Sequence, residues 1–208
     1  MFTGIIRATG RVAAVRTTQD GRHRLEIDPL GWSHRPAAGD SIAVDGCCLT
    51  LVSDPAPGGP WSFDVVPETL AKTTLGSLSV GRRVHLEHAA TASTLLDGHV
   101  VQGHVDGVAT VIDVRSGTDW RVRLRPPAHL LQYIIPKGSV TLAGVSLTVA
   151  DVNPDSGEGW FEVALIPATL SLTTLGDLAT GAGVNLECDA MAKTVVHWLR
   201  HFGSRSGA

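Results

Sequence analysis

The chain carries an internal repeat with a period near 100 residues, and this duplication constrains the possible fold more than any other feature. Three blocks recur in the same order, with an offset that drifts only between 98 and 100 residues. The repeated pairs are GDSIAVDGCCLT (39–50) with KGSVTLAGVSLT (137–148), PETLAKTTLG (67–76) with PATLSLTTLG (167–176), and GRRVHLE (81–87) with GAGVNLE (181–187). We interpret the chain as a tandem duplication of one unit, because chance does not produce ordered similarity across three separate blocks.

Each half has the pattern of a small all-β unit. Short segments rich in β-branched residues, at 41–44, 50–52, 62–66 and 84–87 in the first half, alternate with turns rich in Gly, Pro, Asp and Asn. Frequent short strands favour barrels or sandwiches, and a barrel also removes the exposed strand edges that promote aggregation. The blocks that begin with Pro67 and Pro167 each predict one short helical turn.

The C-terminal segment predicts an amphipathic helix, with Asp189 as its N-cap and Gly203 at its end. One face of this helix is apolar, and it consists of Met191, Val195, Trp198, Leu199 and Phe202. Two interpretations stay open. The face packs on its own barrel, or it forms a contact between subunits.

Composition excludes several classes of protein. The net charge is −3 and the sequence has no basic stripe, so we expect no nucleic-acid partner. No apolar run approaches the roughly 20 residues that span a bilayer, and the start of the chain does not resemble a signal peptide, so we expect a cytoplasmic protein without a membrane partner. The three cysteines do not suggest a disulfide framework or a zinc site, and we expect Cys47 and Cys188 to be small buried hydrophobic residues.

Two pairs of polar side chains are candidates for a binding wall. Residues two apart on a strand share a face, so Ser146 and Thr148 point the same way, as do their repeat mates Cys48 and Thr50. Each pair follows a glycine that permits close approach of a ligand. Such walls suit a planar heterocycle with several polar edges.

The segment GHVVQGHVDG (98–107) contains two histidines. His99 and His104 are five residues apart, which is a poor spacing for two metal ligands on a strand or a helix, so we expect no metal site. One of them is a candidate general acid or base. The sequence has no G-x-S-x-G elbow, phosphate-binding loop or dinucleotide fingerprint.

A set of ordered motifs resembles the riboflavin synthase family of the trimeric alpha type. The motifs are MFTGII, GCCLT, PETL with TTLG, GHVVQGHVDG, KGS, GVSLT, IPATL with TTLG, and VNLE, from Met1 to about Lys193. The resemblance implies two six-stranded antiparallel Greek-key β-barrels and a C-terminal helix. It divides the chain into an N-terminal barrel (1–97), a C-terminal barrel (98–188) and an oligomerisation helix with its tail (189–208).

The resemblance also implies an activity. Two molecules of 6,7-dimethyl-8-ribityllumazine exchange a four-carbon unit and give riboflavin and 5-amino-6-(D-ribitylamino)uracil, without a metal or organic cofactor. The implied assembly is a homotrimer, in which each active site holds two lumazines between the N-terminal barrel of one subunit and the C-terminal barrel of its neighbour. The resemblance leaves room for an association with lumazine synthase.

The site residues follow from motif positions. The resemblance assigns catalytic roles to His104, Ser146, Thr148, Cys48, Lys137 and Asp189. It assigns substrate contacts to Phe2, Thr3, Gly4, Ile5, Ile6, Ser41, Cys48, Leu49, Thr50, Asp64, Val65, Val66, Pro67, Glu68, Thr69, Gly103, His104, Val105, Lys137, Ser146, Leu147, Thr148, Ala164, Leu165, Ile166, Pro167, Ala168 and Thr169.

The sequence departs from the family pattern at four positions. His85 stands where Asn is expected, while its repeat mate Asn185 is kept, and His88, Asp97 and Ala143 replace a common Arg, Gly and Asp. Two further hypotheses therefore stay open beside the synthase. The chain is a non-catalytic lumazine or flavin carrier of the same fold, or it is a related enzyme that acts on a modified lumazine.

Overall fold

The computed structural model describes residues 1–17, 23–155 and 157–203. The first half contains β1 (Ala8–Thr17), β2 (His23–Asp28), β3 (Ser41–Val44), β4 (Cys47–Thr50), β5 (Trp61–Val65), the short helix α1 (Pro67–Lys72) and β6 (Arg83–His88). The second half contains β7 (Gly107–Arg115), β8 (Trp120–Arg125), β9 (Ser139–Leu142), β10 (Val145–Asn153), β11 (Trp160–Leu165), α2 (Pro167–Leu172) and β12 (Gly183–Cys188). Helix α3 (Ala190–Phe202) follows.

Both halves form six-stranded antiparallel barrels, as predicted. The second barrel is closed in the order β10-β11-β8-β7-β12-β9. The first sheet runs β4-β3-β6-β1-β2-β5, which is the equivalent order, and a single bridge between Leu51 and Phe63 joins its two edges. The N barrel is therefore nearly closed, and the C barrel is fully closed.

The predicted strand at 50–52 is wrong in its boundaries, because β4 is Cys47–Thr50. The reason is the turn before it. Asp45 and Gly46 both have positive φ values, 44° and 78°, and they form the two-residue turn of the β3–β4 hairpin. A two-residue Asp-Gly turn pairs Val44 directly with Cys47, so the second strand starts at once.

Apolar side chains fill each barrel along the alternating inward positions of its strands. Ile42, Phe63 and Leu86 are fully buried in the N barrel. Val140 and Phe161 are fully buried in the C barrel. Among the cysteines, Cys47 and Cys188 lie in these cores as free thiols, as expected, and burial raises the pKa of each to about 12.

Helix α3 begins and ends where the sequence predicted. The Asp189 carboxylate accepts a hydrogen bond from the Met191 N–H at 2.7 Å, and Gly203 is the C-terminal cap. Lys193 fixes the helix to the C barrel, because its Nζ lies 2.8 and 2.9 Å from the two carboxylate oxygens of Asp106. Residues 204–208 of the predicted C-terminal segment lie outside the described residues.

The apolar face of α3 is exposed and does not pack on the described part of the chain's own barrel. Met191 is 73% exposed and Trp198 is 54% exposed, and Val195, Leu199 and Phe202 are exposed as well. The subunit-contact interpretation is the one that this exposure favours. The helices within the described ranges are too short or too polar to cross a membrane.

Two segments cross between the barrels and pair with each other. Phe2 and Val101 exchange backbone hydrogen bonds of 2.7 and 3.1 Å, and both side chains are buried. Because residues 89–106 contact both barrels along this crossing, the exact division of the chain after residues 97 and 188 stays a prediction.

Two buried glutamates hold the crossing segments. Glu87 at the end of β6 accepts hydrogen bonds from the N–H and hydroxyl of Thr3 and from the N–H of Gly4, at 2.7 to 3.1 Å. Its repeat mate Glu187 on β12 accepts from the N–H groups of Gln102, Gly103 and His104 over the same range. Each carboxylate therefore fixes a segment of backbone that no strand pairing satisfies.

We expect Glu187→Gln to lower the free energy of unfolding by about 1–3 kcal/mol, because in either orientation its amide NH₂ replaces one acceptor oxygen and cannot accept from the backbone N–H that it faces. Urea unfolding followed by circular dichroism measures this loss. Glu158→Gln, at an exposed position, is the control and should leave the unfolding midpoint unchanged. Equal midpoints for the two variants would show that Glu187 does not hold the segment.

Candidate functional site

The predicted wall residues project from the outer faces of the two barrels. Along β10, Val145 and Leu147 point into the core, while Ser146 and Thr148 alternate with them and point outward. Cys48 and Thr50 occupy the same places on β4. The side chains that carry hydrogen-bonding groups therefore lie outside the barrel cores, where a ligand can reach them.

Each crossing segment covers one of these walls. The backbone N–H of Ser146 donates to the carbonyl of Gly4 at 2.7 Å, and the N–H of Cys48 donates to the carbonyl of Gly103 at 2.8 Å. The segment at the start of the chain thus lies on the C barrel, and the segment before β7 lies on the N barrel. The repeat relates the two walls, and these two hydrogen bonds are equivalent to each other.

The N-barrel wall forms one side of a cavity of about 240 Å³. Six of the predicted site residues line it, namely Cys48, Glu68, Thr69, Gly103, His104 and Val105. Cys47, Lys72 and Thr73 also line it and were not predicted. Lys72 lies one helical turn after Glu68, and its Nζ donates to the Glu68 carboxylate at 2.7 Å. The sequence signal for Lys72 was its position on the same face of α1.

The remaining predicted residues of the N barrel lie around this wall. Ser41 pairs with Thr50 across the β3–β4 hairpin. Asp64 forms a two-point ion pair with Arg24, with N–O distances of 2.6 and 3.1 Å. Val66 and Pro67 begin α1.

On the C barrel, His99 contacts Ser146, and the sequence analysis did not predict this contact. Its Nδ1 lies 2.7 Å from the hydroxyl oxygen of Ser146, and its Nε2 lies 3.4 Å from the Thr141 hydroxyl. Burial lowers the pKa of His99, and the negative charge of Asp189 opposes this shift only in part. His99 is therefore a neutral partner for Ser146 at neutral pH.

The other predicted residues, apart from Lys137 and Asp189, fall into three groups. One group continues the outer C-barrel wall along β10, β11 and α2 and consists of Thr148, Ala164, Ile166, Pro167, Ala168 and Thr169. The side chains of Leu49, Val65, Leu147 and Leu165 lie in the barrel cores, so only their backbone atoms can reach a ligand. Phe2 and Thr3 are buried in the crossing, and Gly4, Ile5 and Ile6 continue toward the C barrel.

Neither Lys137 nor Asp189 forms a hydrogen bond with Ser146 in the part of the chain that the structure describes. Lys137 is exposed in the turn before β9, where its φ is +64°. Asp189 caps α3 and acts on His99 through its charge. Among the described residues, the cavity at Cys48 has no lining residue from β10, β11 or α2, so the C-barrel wall of the same chain does not contribute to it.

Comparisons with known proteins agree with the tandem repeat. A family model described as the lumazine binding domain matches residues 3–89 and again residues 102–189, one match for each repeat. Riboflavin synthase from Mycobacterium tuberculosis strain H37Rv is 44% identical over 204 residues, which cover 98% of this chain and all of that protein. The chain belongs to the riboflavin synthase family.

Other relatives agree with this membership. Riboflavin synthase of Actinobacillus pleuropneumoniae is 38% identical, over 96% of this chain and 90% of that protein. Crystal structures of LumP in complex with 6,7-dimethyl-8-(1'-D-ribityl) lumazine and with riboflavin each superpose with a TM-score of 0.77, at 26% and 28% identity. They cover 91% of this chain and 99% and 100% of the LumP chains.

The four departures from the riboflavin synthase family pattern lie away from the N-barrel cavity. His88 stacks on His34 with ring centroids 4.9 Å apart, at the end of the N barrel. Asp97 is exposed, and His85 and Ala143 contact each other between the barrels. None of the four lines the cavity at Cys48.

We expect Gly103→Ala to be more destabilising than Gly39→Ala, although both positions have positive φ values. The left-handed backbone costs each variant about 1–2 kcal/mol. At Gly103 the new Cβ also lies 2.7 Å from Cys48 Cβ and 2.9 Å from the Phe2 ring, whereas at Gly39 it meets no atom within 4 Å. Urea midpoints compare the variants, and equal midpoints would contradict a tight contact between this segment and Cys48.

The pH dependence of stability tests the environment of His99. Its pKa in the folded chain lies below the ordinary value of 6.5, so the unfolded chain takes up the proton more readily. The contribution of His99 to stability is therefore fully present above pH 6.5 and decreases as the pH falls below it. We expect the difference in unfolding free energy between the wild type and His99→Gln to shrink from pH 8 to pH 5. A difference that grows on acidification would contradict this burial.

Proposed function

We propose that this chain is a riboflavin synthase, which converts two molecules of 6,7-dimethyl-8-ribityllumazine into riboflavin and 5-amino-6-(D-ribitylamino)uracil. The observation that carries the proposal is the pair of repeat-related walls, each built from one β-hairpin and one crossing segment. A reaction between two copies of one substrate needs two similar pockets. One ring loses the four carbons that the other gains, so the reaction balances without an outside oxidant or reductant, and no cofactor is required.

The two walls differ where the two substrates need different treatment. Cys48 on the N barrel corresponds to Ser146 on the C barrel. The ionic pair Glu68 and Lys72 corresponds to Ala168 and Leu172, as the aligned blocks at 67–76 and 167–176 give it. The N-barrel pocket therefore has a charged rim, whereas the C-barrel wall has an apolar rim. Two identical rings bound to these walls experience different electrostatic environments.

The C-barrel wall supplies the groups best placed for proton transfer. His99 is neutral and shares a 2.7 Å hydrogen bond with Ser146, so the pair can relay a proton to or from a bound ring. The 7-methyl protons of the lumazine are acidic, so a modest base suffices. His104, to which the resemblance assigned the acid–base role, lines the N-barrel cavity. In this proposal it contacts the other substrate.

The proposal includes a homotrimer, with each active site formed by the N barrel of one subunit and the C barrel of the next. Two features support it. Among the described residues, the C-barrel wall does not line the Cys48 cavity of the same chain, and the apolar face of α3 is exposed. Holding the two rings against each other supplies much of the rate acceleration by positioning. An association with lumazine synthase remains a prediction from the resemblance, and a cytoplasmic location remains a prediction from the sequence.

A lumazine or flavin carrier is the second candidate, because LumP, which has the same fold, is crystallised with lumazine, riboflavin and FMN. The intact pair Ser146 and His99, together with Cys48 and His104, favours the enzyme. A carrier has no need for polar walls on both barrels.

The decisive assay incubates the full chain with 6,7-dimethyl-8-ribityllumazine alone and follows riboflavin absorbance. We expect steady formation of riboflavin, and a loss of about 100-fold or more in kcat for His99→Ala and Ser146→Ala, as for removal of a general acid–base group. His129→Ala, at an exposed position, is the control and should retain the wild-type rate.

Binding of lumazine without product would contradict the synthase and favour the carrier. If His104→Ala reduced the rate far more than His99→Ala, the acid–base role would return to His104. A substrate with a modified ring that turns over much faster than the dimethyl compound would support an enzyme of altered specificity.

A further inference from the structure

The two barrels of one chain meet around a pair of repeat mates, His85 on β6 and Asn185 on β12. Both side chains are buried, with exposed fractions of 0% and 2%. They lie at the same position in the blocks GRRVHLE and GAGVNLE. Because His85 is fully buried, both of its ring nitrogens need hydrogen-bond partners.

Asn185 joins the barrels with one donor and one acceptor. Its Nδ2 donates to the carbonyl of Asp45 at 2.9 Å, and its Oδ1 accepts from the N–H of Thr74 at 2.7 Å. Both partners belong to the other half of the chain. The carboxamide therefore spans the interface and satisfies one buried backbone group of each kind.

His85 makes the equivalent two contacts from the N barrel to the C barrel. Its Nδ1 lies 2.8 Å from the carbonyl of Ala143, and its Nε2 lies 2.8 Å from the backbone N of Thr174. Ala143 is the repeat mate of Asp45, and Thr174 is the repeat mate of Thr74. The imidazole thus bonds to the equivalent pair of backbone groups on the C barrel.

These partners fix the position of the proton on the ring. A carbonyl oxygen can only accept, so Nδ1 carries the hydrogen. The N–H of Thr174 can only donate, so Nε2 carries none. The ring is neutral, and it presents one donor and one acceptor, as a carboxamide does. The Asp45 carboxylate lies 3.8 Å from Nδ1 and already accepts the backbone N–H of His85 at 2.7 Å.

We propose that His85 is a positioning residue, which locks the C barrel to the N barrel as a neutral Nδ1–H imidazole in the place of an asparagine. The lock and Asn185 together set the orientation of the two barrels. They thereby set where the walls at Cys48 and Ser146 lie on the assembled protein. The consequence for turnover rests on the proposed function, whereas the lock itself does not.

Three proteins test the lock, namely the wild type, His85→Asn and His85→Leu. Asparagine restores a donor and an acceptor, whereas leucine fills a similar volume and removes both. In the wild type, ¹⁵N spectra of the imidazole should show a protonated Nδ1 and an unprotonated Nε2 for His85 at neutral pH. His85→Asn should keep the urea midpoint and kcat close to the wild-type values.

His85→Leu should lower the urea midpoint. It should also reduce kcat by about 10- to 100-fold with a smaller change in KM, because a misplacement of about 1 Å far from the reacting atoms can have that effect. A protonated Nε2 in the wild type would overturn the proposal. So would a His85→Asn variant as impaired as His85→Leu, or a His85→Leu variant equal to the wild type. If the wild type forms no riboflavin, the synthase proposal fails, and the spectra and urea midpoints still decide the lock.

Discussion

The exchange of segments between the barrels depends on two buried carboxylates, Glu87 and Glu187. Each accepts three hydrogen bonds from a stretch of backbone that belongs to no strand. Burial raises the pKa of both, and the N–H donors act against this shift in each case. Without these acceptors the crossing segments would carry unpaired buried N–H groups. The pockets depend on them, because Gly4 and Gly103 cover the walls only while the segments are held.

The repeat produces near symmetry, and the chemistry lies in its exceptions. Cys48 on the N-barrel wall corresponds to Ser146 on the C-barrel wall. The pair Glu68 and Lys72 makes the rim of the first wall ionic, whereas Ala168 and Leu172 make the rim of the second wall apolar. The exception at His85 is of another kind, because an imidazole reproduces the hydrogen bonds of its mate Asn185. The substitution changes the residue type but keeps the interface. Whether a sequence difference between the halves changes the interface therefore depends on the hydrogen-bond donors and acceptors of the two side chains, not on the similarity of the residue types.

Much of the fold could be predicted from the sequence, because the signals were local. Strand alternation predicted that Ser146 and Thr148 share a face, and Asp189 as an N-cap predicted the start of α3. The repeat predicted two barrels. His99 could not be placed in this way. The spacing of His99 and His104 was interpreted by the rules for strands and helices, but both lie in a crossing segment without strand structure, where these rules do not apply. Which histidine meets Ser146 depends on the path between the barrels. For Glu87 and Glu187, the sequence showed only that both repeats end the blocks GRRVHLE and GAGVNLE with glutamate, and it did not indicate their hydrogen-bond partners.

The crossing of the segments also bears on how such a chain could arise. Each wall is completed by backbone from the other half, through the bonds from Ser146 to Gly4 and from Cys48 to Gly103. A single unit standing alone would leave its wall uncovered, and two identical units would complete each other by exchanging their first residues across a twofold axis. That is the geometry of an arm-exchanged homodimer. Fusion of two such genes would preserve every contact and free each copy to diverge, so that one ancestral surface could become two pockets of unequal character.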